Sequence, residues 1–482
     1  MTSPQPRYPF DAEVPTVKEL GRVHVIAIGG AGMSAVARLL LARGVQVSGS
    51  DRADSATLEA LRELGATVWL GHDPSHVAGA DTVVVSSAVP DDNPELAAAR
   101  ERGVRVLHRA QALAAVTRDR TRIAIAGANG KTTTTSMVTV ALAGVGRDPV
   151  YACGGEIAQL GSNAAWGSGP EAVIEADESD GSFIVYAPDI AVVTSVQPDH
   201  LDYYGTEDEV RRSYRRFAGT IQPGGVLIAC ADDPGAAALA VQMREQGMRV
   251  VTYGRGVEAD LRLDPSSVDG LSTQTPFRWM GVSATLSLRV PGAHNVENAA
   301  AAFLVLCAGL GLAPEGVLDA LATFTGARRR FEVRGQVGGV SVIDDYAHNA
   351  PKVAALVRTA RALAPESKVR VIFQPHLFSR TRDFADGFAD GLAPADVVVL
   401  LDIYGAREAP IPGVSSALIA RRLSALPGDR DVELGLAGDA AIRSALKGVG
   451  SGDLVLVVGA GDVTGLVPRV VEMLGQAMGE AR

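Results

Sequence analysis

The sequence predicts an α/β protein of three domains whose sheets are mostly parallel. Short apolar runs that suit buried strands alternate with helical patterns along the chain, which is the pattern of βαβ units. The chain has 482 residues, which are too many for a single hydrophobic core. Hydrophobic residues make up 47% and charged residues 21%, as is ordinary for a globular protein. Several α/β domains in succession are therefore expected.

Two charged stretches mark the predicted domain boundaries. They divide the chain into a first domain, 1–118, a central domain, 119–327, and a third domain, 328–482. Strands are predicted at 23–28, 45–48 and 82–86, then at 123–126, 172–175, 190–194 and 226–230, and finally at 340–343, 369–373, 397–401 and 454–458. Helices are predicted at 35–43 and 296–309, and a small antiparallel excursion at 259–290.

The net charge and the cysteines indicate which kinds of partner and which cellular compartment to expect. The net charge is −10, which disfavours nucleic acid and anionic membranes as partners. The three cysteines, Cys153, Cys230 and Cys307, lack metal-type spacing and predict a reducing cytoplasm. Residues 1–14 have no apolar core, so no signal peptide is predicted. The longest apolar stretch, 299–313, is shorter than the roughly 18 residues that a membrane span needs.

A glycine-rich loop follows the first strand of the central domain. It reads Gly127-Ala128-Asn129-Gly130-Lys131-Thr132, with Thr133 next, and leads into a helical pattern. Backbone N–H groups of such a loop, together with the helix N-terminus, hold nucleotide phosphates. Lys131 would neutralise the phosphates and Thr132 would ligate Mg²⁺. The loop departs from the standard Walker A pattern, since Ile125 stands where that pattern begins with Gly. It predicts a central P-loop ATPase domain.

Two further strand ends in the central domain carry possible metal ligands. The segment Glu175-Ala176-Asp177-Glu178-Ser179-Asp180 follows one strand, and Asp199-His200 follows another. Ligands gather at the carboxyl edge of a parallel sheet, and carboxylates there could hold Mg²⁺ against phosphate oxygens. The alternatives are a solvated acidic loop and a structural histidine.

A second glycine turn follows the first strand of the chain. Gly30-x-Gly32-x-x-Ala35 is followed about 20 residues later by Asp51, as in dinucleotide-binding proteins. This predicts a Rossmann-like first domain. The turn suits the pyrophosphate of a nicotinamide cofactor in a dehydrogenase, and equally that of a UDP-sugar. A tight turn without a ligand is the remaining alternative.

The third domain is predicted to be Rossmann-like too, with polar groups at two strand ends. Asp344-Asp345-Tyr346-Ala347-His348-Asn349 follows one strand, and Phe373-Gln374-Pro375-His376 belongs to the next. Arg380 and Arg382 come shortly after, and Arg380 could pair with a carboxylate or a phosphate. Taken singly these could be solvated loop residues, but their clustering at strand ends predicts a cleft.

Taken in order, these motifs resemble those of the Mur ligases over nearly the whole chain. The resemblance rests on the turn 29–34, Ser86-Ser87-Ala88, Asp92-Asn93-Pro94-Glu95-Leu96, the loop 130–135, the acidic segment 175–180, Pro198-Asp199-His200, the segment 292–299, Arg329-Arg330-Phe331-Glu332, the segments 344–348 and 373–376, and Gly459-Ala460-Gly461-Asp462.

The resemblance implies a UDP-sugar domain, an ATP-binding ligase domain and an amino-acid-binding domain. In that family ATP phosphorylates a carboxylate, and an amine then attacks the acyl phosphate. The turn 29–34 resembles the branch that joins L-alanine to the lactyl carboxylate of UDP-N-acetylmuramate in peptidoglycan synthesis, although a muropeptide-recycling branch shares much of it. The implied cofactors are ATP and Mg²⁺. The protein itself is expected to be a monomer or a homodimer.

The resemblance also implies roles for individual residues. Catalytic roles would belong to Lys131, His200, Glu175, His348 and Arg380, and the Mg²⁺ ligands would be Thr132, Glu175 and His200. ATP would contact Gly127, Ala128, Asn129, Gly130, Lys131, Thr132, Thr133, Asn295, Asn298, Arg329 and Asp345. The substrates would contact Gly30, Gly32, Met33, Ser34, Asp51, His72, Ser87, Tyr346 and His376.

The chain departs from the family pattern in a few places. Ala128-Asn129 replace Thr-His in the loop, Ser195 replaces Asn, and Asn349 replaces a second His. No Lys lies between Lys131 and Lys352, so the carbamylated Lys of sister ligases has no counterpart there. The departures leave open a paralogue with another amino acid or acceptor, or a catalytically weakened binding protein.

Overall fold

The computed structural model describes residues 8–406 and 408–480, and within them only the backbone of residues 202 and 480. Three mostly parallel sheets confirm the α/β class. The signal-peptide prediction falls partly on residues 1–7, outside the described residues. Within the described ranges, no helix is long and apolar enough to cross a bilayer.

The first sheet is fully parallel, with the order β3-β2-β1-β4-β5. Its strands are β1 (Val23–Ile26), β2 (Val47–Asp51), β3 (Thr67–Leu70), β4 (Thr82–Val85) and β5 (Arg105–His108). Its helices are α1 (Val17–Leu20), α2 (Ala31–Ala42), α3 (Ala56–Glu63), α4 (Pro94–Glu101) and α5 (Arg109–Val116). From β1 the chain adds β2 and β3 on one side of the sheet, and it then adds β4 and β5 on the other side. Parallel α/β sheets bind ligands at such a switch in strand order, which here lies between β1 and β4.

The second sheet has the order β14-β15-β13-β12-β11-β10-β6-β9-β7-β8, with β16 on β15. Its strands are β6 (Thr121–Ala126), β7 (Val150–Ile157), β8 (Ser162–Ala165), β9 (Glu171–Glu175), β10 (Ile190–Val193), β11 (Val226–Cys230), β12 (Arg249–Gly254), β13 (Leu261–Leu263), β14 (Ser267–Asp269), β15 (Ser272–Trp279) and β16 (Val282–Leu288). Strands β13, β15 and β16 pair antiparallel, which confirms the antiparallel excursion expected at 259–290.

The helices that accompany the second sheet include the one that follows the phosphate loop. They are α6 (Lys131–Gly144), α7 (Leu201–Tyr204), α8 (Glu207–Gly219), α9 (Pro234–Glu245), α10 (Ala293–Leu304) and α11 (Pro314–Ala322). The buried helix predicted at 296–309 is present, but it begins at Ala293 and its last turn, 305–309, is a π-helix.

The third sheet has the order β17-β18-β22-β19-β20-β21, with only β17 antiparallel to its neighbour. Its strands are β17 (Glu332–Val337), β18 (Val340–Asp345), β19 (Val369–Phe373), β20 (Val397–Leu400), β21 (Asp431–Leu434) and β22 (Leu454–Val458). Its helices are α12 (Ala350–Leu363), α13 (Phe378–Asp383), α14 (Ala385–Leu392), α15 (Ala417–Ala425), α16 (Gly438–Leu446) and α17 (Val467–Glu480). Two apolar clusters cover its faces.

The described chain forms two compact units. The first contains the first sheet and the second sheet apart from most of β14, and the second contains residues 326–480 with the short segments 268–272 and 290–294. The boundary expected between 327 and 328 lies next to the start of this last stretch. The boundary expected between 118 and 119 lies inside the first unit, between its two sheets, and stays a prediction.

Candidate active site

The phosphate loop joins the end of β6 to the start of α6. Gly127 and Gly130 have φ values of +139° and +83°, which favour glycine. A Cβ on Gly127 would stand 1.9 Å from Thr194 Oγ1, and one on Gly130 would stand 2.5 Å from Asn298 Oδ1. Both positions therefore need glycine for their conformation and for their close neighbours.

The departures at Asn129 and Ser195 contact each other in the structure. The backbone N–H of Asn129 donates to Ser195 Oγ at 3.0 Å, and the Asn129 amide donates to Gln197 Oε1 at 3.0 Å. The N–H of Ala128 donates to the Ser195 carbonyl at 3.2 Å, and its side chain is buried. The altered residues thus form one hydrogen-bonded unit between the loop and the end of β10.

Lys131 is held inside the loop by two acceptors. Its Nζ donates to the Gly127 carbonyl at 2.6 Å and lies 2.7–2.8 Å from the two Glu178 carboxylate oxygens. Burial would lower the pKa of Lys131, but the negative charges of Glu178 and Asp177 raise it above its ordinary value. Lys131 is therefore a charged ammonium with its donors directed into the loop, as phosphate binding requires.

Thr132 and Glu175, two of the three expected Mg²⁺ ligands, contact each other. Thr132 Oγ1 donates to Glu175 Oε1 at 3.0 Å, and the N–H of Gly154 donates to Glu175 Oε2 at 2.7 Å. A hydroxyl and a carboxylate beside a phosphate loop are the oxygen ligands that Mg²⁺ accepts. The donor pair therefore fits a magnesium ion shared with bound phosphates.

His200 lies beside a different carboxylate. Its Nε2 is 3.8 Å from Glu178 Oε1 and 4.0 Å from Asp199 Oδ2. Within 8–406 and 408–480, no three His, Cys, Asp or Glu side chains are arranged to hold a metal ion by themselves. His200 lies next to Glu178, which pairs with Lys131, whereas Glu175 contacts Thr132 and Gly154. A second metal at His200 would therefore need phosphate or substrate oxygens as further ligands.

Asn298 lies against the phosphate loop from α10. Its Oδ1 accepts a hydrogen bond from Thr134 Oγ1 at 3.2 Å, and both side chains are buried. Asn295 lies one turn earlier on the same helix and is buried as well. Thr133, on the loop side of α6, is also buried. These neighbours support the shape of the loop.

The first glycine turn is organised by Asp51. The Asp51 carboxylate accepts from the N–H of Gly29 at 2.9 Å and from its neighbour Arg52 at 2.7 Å. Helix α2 begins directly after Gly30, so its free N–H groups face the edge of the sheet. The side chains of two expected substrate residues, Met33 and Ser34, are buried, and Ser34 Oγ donates to the Ala31 carbonyl at 3.1 Å. Any ligand contact at Met33 would therefore come from its backbone, whereas the N–H of Ser34 already donates to the Gly30 carbonyl at 2.8 Å.

His72 belongs to a buried cluster whose centre is Glu95. His72 Nδ1 and His76 Nδ1 lie 3.1 and 2.7 Å from the Glu95 carboxylate, His24 Nε2 lies 3.6 Å away, and Ser50 Oγ donates at 2.5 Å. Burial alone would raise the pKa of Glu95, but the nearby His24 imidazole and the hydrogen bonds from Ser50 and His76 lower it to about 2. The sequence predicted His72 as a site residue but not this cluster, although Glu95 stood in a quoted motif.

Ser87 links the first two sheets. Its Oγ donates to Asp180 Oδ2 at 2.5 Å and lies 3.2 Å from His108 Nε2, which is itself 3.1 Å from Asp180. Burial would raise the pKa of Asp180, but His108 and the hydroxyls hold it well below its usual value. Next to His108, Arg109 Nη2 donates to Asp177 Oδ2 at 2.6 Å. His108 and Arg109 were not predicted, although a position at the end of β5 and directly after it was the available signal.

In the second compact unit, Asp345 and Arg329 are fixed by backbone groups. The Asp345 carboxylate accepts from the N–H groups of Phe331 and Ala347, both at 2.7 Å. Arg329 Nη2 donates to the Gly459 carbonyl at 2.6 Å, and its guanidinium lies 4.7 Å from the centre of the Tyr346 ring. Burial raises the pKa of Asp345, with Arg330 opposing.

His348, His376 and Arg380 come together at the edge of the third sheet. The rings of His348 and His376 are 6.0 Å apart, and Arg380 Nη1 lies 3.5 Å from His376 Nδ1. Burial, with further contributions from Lys352 and Arg380, holds the pKa of His348 well below its ordinary value, so His348 is neutral. Asn349 caps α12 by accepting from the N–H of Lys352 at 3.0 Å, which gives this departure a structural role.

Comparisons with known proteins cover nearly the whole chain. Family models match the Mur ligase family catalytic domain at 22–121, the Mur ligase middle domain at 125–306 and the Mur ligase glutamate ligase domain at 329–461. A UDP-N-acetylmuramate–L-alanine ligase from Kineococcus radiotolerans is 53% identical, over 97% of this chain and 99% of that protein. One from Thermobifida fusca is 48% identical, over 95% and 98%.

A solved structure agrees with these relatives. The UDP-N-acetylmuramate–alanine ligase of Thermotoga maritima superimposes with a TM-score of 0.78 at 29% identity, covering 95% of this chain and 99% of that chain. A murein peptide ligase from Psychrobacter arcticus shares the fold with a TM-score of 0.68 at 23% identity, over 94% and 99%. By sequence and by fold, the chain belongs to the Mur ligase family.

Proposed function

We propose that this protein uses ATP to join L-alanine to the lactyl carboxylate of UDP-N-acetylmuramate. The observation that carries the proposal is the acidic segment 175–180, which connects the phosphate loop with the edge of the first sheet. At one end Glu175 contacts Thr132, and at the other Asp180 contacts Ser87. A nucleotide in the loop and a UDP-sugar at the glycine turn would therefore bind to one connected framework.

Relatives favour the alanine-adding reaction over the alternatives. The proteins that are 48–53% identical are named as L-alanine ligases, whereas the murein peptide ligase is 23% identical. None of these relatives is named as a nicotinamide-dependent dehydrogenase. The glycine turn is accordingly assigned to a UDP-sugar.

The first step joins two anions, so its main requirement is positive charge. An oxygen of the lactyl carboxylate attacks the γ-phosphorus of ATP, ADP leaves, and an acyl phosphate forms. Lys131 would bind the phosphates in place of Glu178, its partner in the structure. Asn129 and Asn298 would hold the loop in the shape that this contact needs.

Mg²⁺ is proposed as the metal, with Thr132 and Glu175 as its protein ligands. Their oxygens already contact each other at 3.0 Å beside Lys131. The ion would neutralise phosphate charge as the phosphoryl group moves. His200, next to Glu178, is proposed for a second ion.

In the second step the amine of L-alanine attacks the acyl carbon, phosphate leaves, and the nitrogen loses a proton. We assign the amino acid to the edge formed by Tyr346, His348, His376 and Arg380. Arg380 would pair with the alanine carboxylate, and the neutral His348 has a free pair for an amine proton. Arg329 and Asp345, held by backbone groups, are proposed for ATP.

The expected assembly and location of the protein remain predictions. We propose a monomer or homodimer in the cytoplasm, where ATP and UDP-sugars are available, with no nucleic acid or membrane as a partner.

Phosphate release tests the proposal. Wild type with ATP, Mg²⁺, UDP-N-acetylmuramate and L-alanine should release phosphate, and Lys131→Ala should lose turnover by at least about 100-fold because the phosphoryl charge is no longer neutralised. Lys18→Ala, at an exposed position of α1, should match wild type. Phosphate release that requires another amino acid would show that L-alanine is not the substrate, although the protein would still be an amino-acid ligase. If the wild type releases no phosphate under these conditions, the proposed function is wrong.

A further inference from the structure

Arg109 occupies a position at the ligand edge of the first sheet. Strands β1, β4 and β5 run parallel and end at the same edge, with the switch in strand order between β1 and β4. The glycine turn follows β1, and Arg109 is the first residue of α5, directly after β5. The side chain therefore starts at the edge where the UDP-sugar is proposed to bind.

The guanidinium of Arg109 fills the space left by a missing side chain at Gly32. A Cβ on Gly32 would stand 2.9 Å from Arg109 Nη1 and 3.4 Å from its Cδ. Gly32 lies in the first turn of α2, whose N–H groups have no partners within the helix. A cation and a set of free N–H groups thus meet at one point, which suits a phosphate anion.

Arg109 is anchored yet retains donors for a ligand. Its Nη2 donates to Asp177 at 2.6 Å, and the side chain is 21% exposed. Its other N–H groups form no hydrogen bond to the part of the chain that the structure describes. Asp177 therefore fixes the guanidinium through Nη2, while Nη1 of Arg109 faces the glycine turn.

The surroundings of Arg109 are acidic, so a bound anion there needs its positive charge. The chain carries a net charge of −10, and the acidic segment 175–180 begins at the second sheet's edge and reaches the first. A nucleoside diphosphate carries at least two negative charges and would be repelled by such surroundings. A fixed arginine can offset that repulsion and donate two parallel hydrogen bonds to phosphate oxygens.

We propose that Arg109 binds the diphosphate of the UDP-sugar, with Asp177 holding it in place. This inference rests on the proposed function, because it assumes that the glycine turn takes a UDP-sugar. It adds a binding residue that belongs to neither the glycine turn nor the phosphate loop.

Calorimetric titration with UDP, with the phosphate loop saturated by ADP, tests the inference. Arg109→Ala and Arg109→Gln should weaken UDP binding about 10- to 100-fold, since a charge-assisted hydrogen bond is lost, and should leave ADP affinity within about twofold. Uridine, which has no phosphate, should bind both variants as it binds wild type. Arg100→Ala, an exposed ion-pair residue on α4, is the matched control and should bind UDP normally.

The possible failures are distinguishable. If wild type does not bind UDP, the proposed UDP-sugar site is wrong. If wild type binds UDP and either arginine variant binds it equally well, the inference is overturned. A parallel loss of UDP, uridine and ADP in both variants would also overturn it, because Arg109 would then act only through the fold.

Discussion

Glu95 illustrates how one residue can organise several others in this protein. Its carboxylate is fully buried and contacts His24, His72, His76 and Ser50. Its pKa of about 2 lies below the ordinary 4.5, so the charged form is favoured by folding. Such a group stabilises the fold above about pH 4.5, and this stabilisation is lost as the pH falls towards 2.

We expect Glu95→Gln to lower the free energy of unfolding by on the order of 3 kcal/mol at pH 6, from a pKa difference of about 2.5 units. The difference between wild type and variant should shrink between pH 4.5 and 2. Denaturant unfolding at several pH values measures this. Glu101→Gln, at an exposed position of the same helix, should have little effect. A difference for Glu95→Gln that does not change with pH would contradict the account.

The same residue shows where sequence reasoning stops. His72 was expected as a substrate contact from the family resemblance, but Glu95 lies 23 residues away in the sequence and the fold brings the two side chains together. Likewise, Asn129 and Ser195 were recognised as separate departures, and their hydrogen bond across 66 residues required the structure. Motif residues are readable from the sequence, whereas partners distant in sequence are not.

At the scale of elements, the phosphate loop depends on glycine for steric reasons. We expect Gly127→Ala to weaken ATP binding at least about 10-fold, because the new Cβ would stand 1.9 Å from Thr194 Oγ1 and the φ of +139° is unfavourable for alanine. Titration with ADP or a non-hydrolysable ATP analogue measures the loss. Gly219→Ala, where a Cβ meets nothing within 4 Å, is the control. Unchanged affinity in Gly127→Ala would show that the loop can rearrange freely.

Strands with a continuous apolar run were predictable and the edge strands were not, and the partly buried β7 and β12 were missed as well. The apolar strands β1, β6, β10, β11, β19 and β22 were predicted close to their observed bounds, since each is almost entirely buried. The sequence missed β3, β8 and β21, which lie at sheet edges and have few buried residues. Edge strands carry mixed polar and apolar side chains and lack the continuous apolar run of central parallel strands. Helix α2 begins four residues earlier than predicted, because glycine and alanine in its first turn gave no apolar signal.

At the scale of the whole molecule, the first two sheets form one compact unit. Contacts between them include Ser87–Asp180 and Arg109–Asp177. The guanidinium groups of Arg43 and Arg120 lie 4.8 and 4.7 Å from the centre of the Trp166 ring. Cation–π contacts of this kind contribute roughly 0.5–1 kcal/mol each at exposed sites. The two sheets are therefore expected to unfold together.

Scanning calorimetry should show the first compact unit unfolding in one transition that both UDP and ADP move to higher temperature. A ligand stabilises the cooperative unit that binds it, so a shared unit must respond to both ligands. The unfolding temperature of the unit that contains residues 326–480 should rise less with either ligand than that of the first unit. Two separate transitions, one shifted only by UDP and the other only by ADP, would contradict the single unit.

The most direct test of the central claim is the identity of the product. Incubation with ATP, Mg²⁺, UDP-N-acetylmuramate and L-alanine, followed by mass spectrometry, should give the acceptor increased by alanine less one water, with one ADP and one phosphate per amide. Glycine, L-serine and a muropeptide should give less product in competition. An acceptor that stays unchanged while ATP is consumed, or a product that contains another amino acid when all are supplied, would contradict the account.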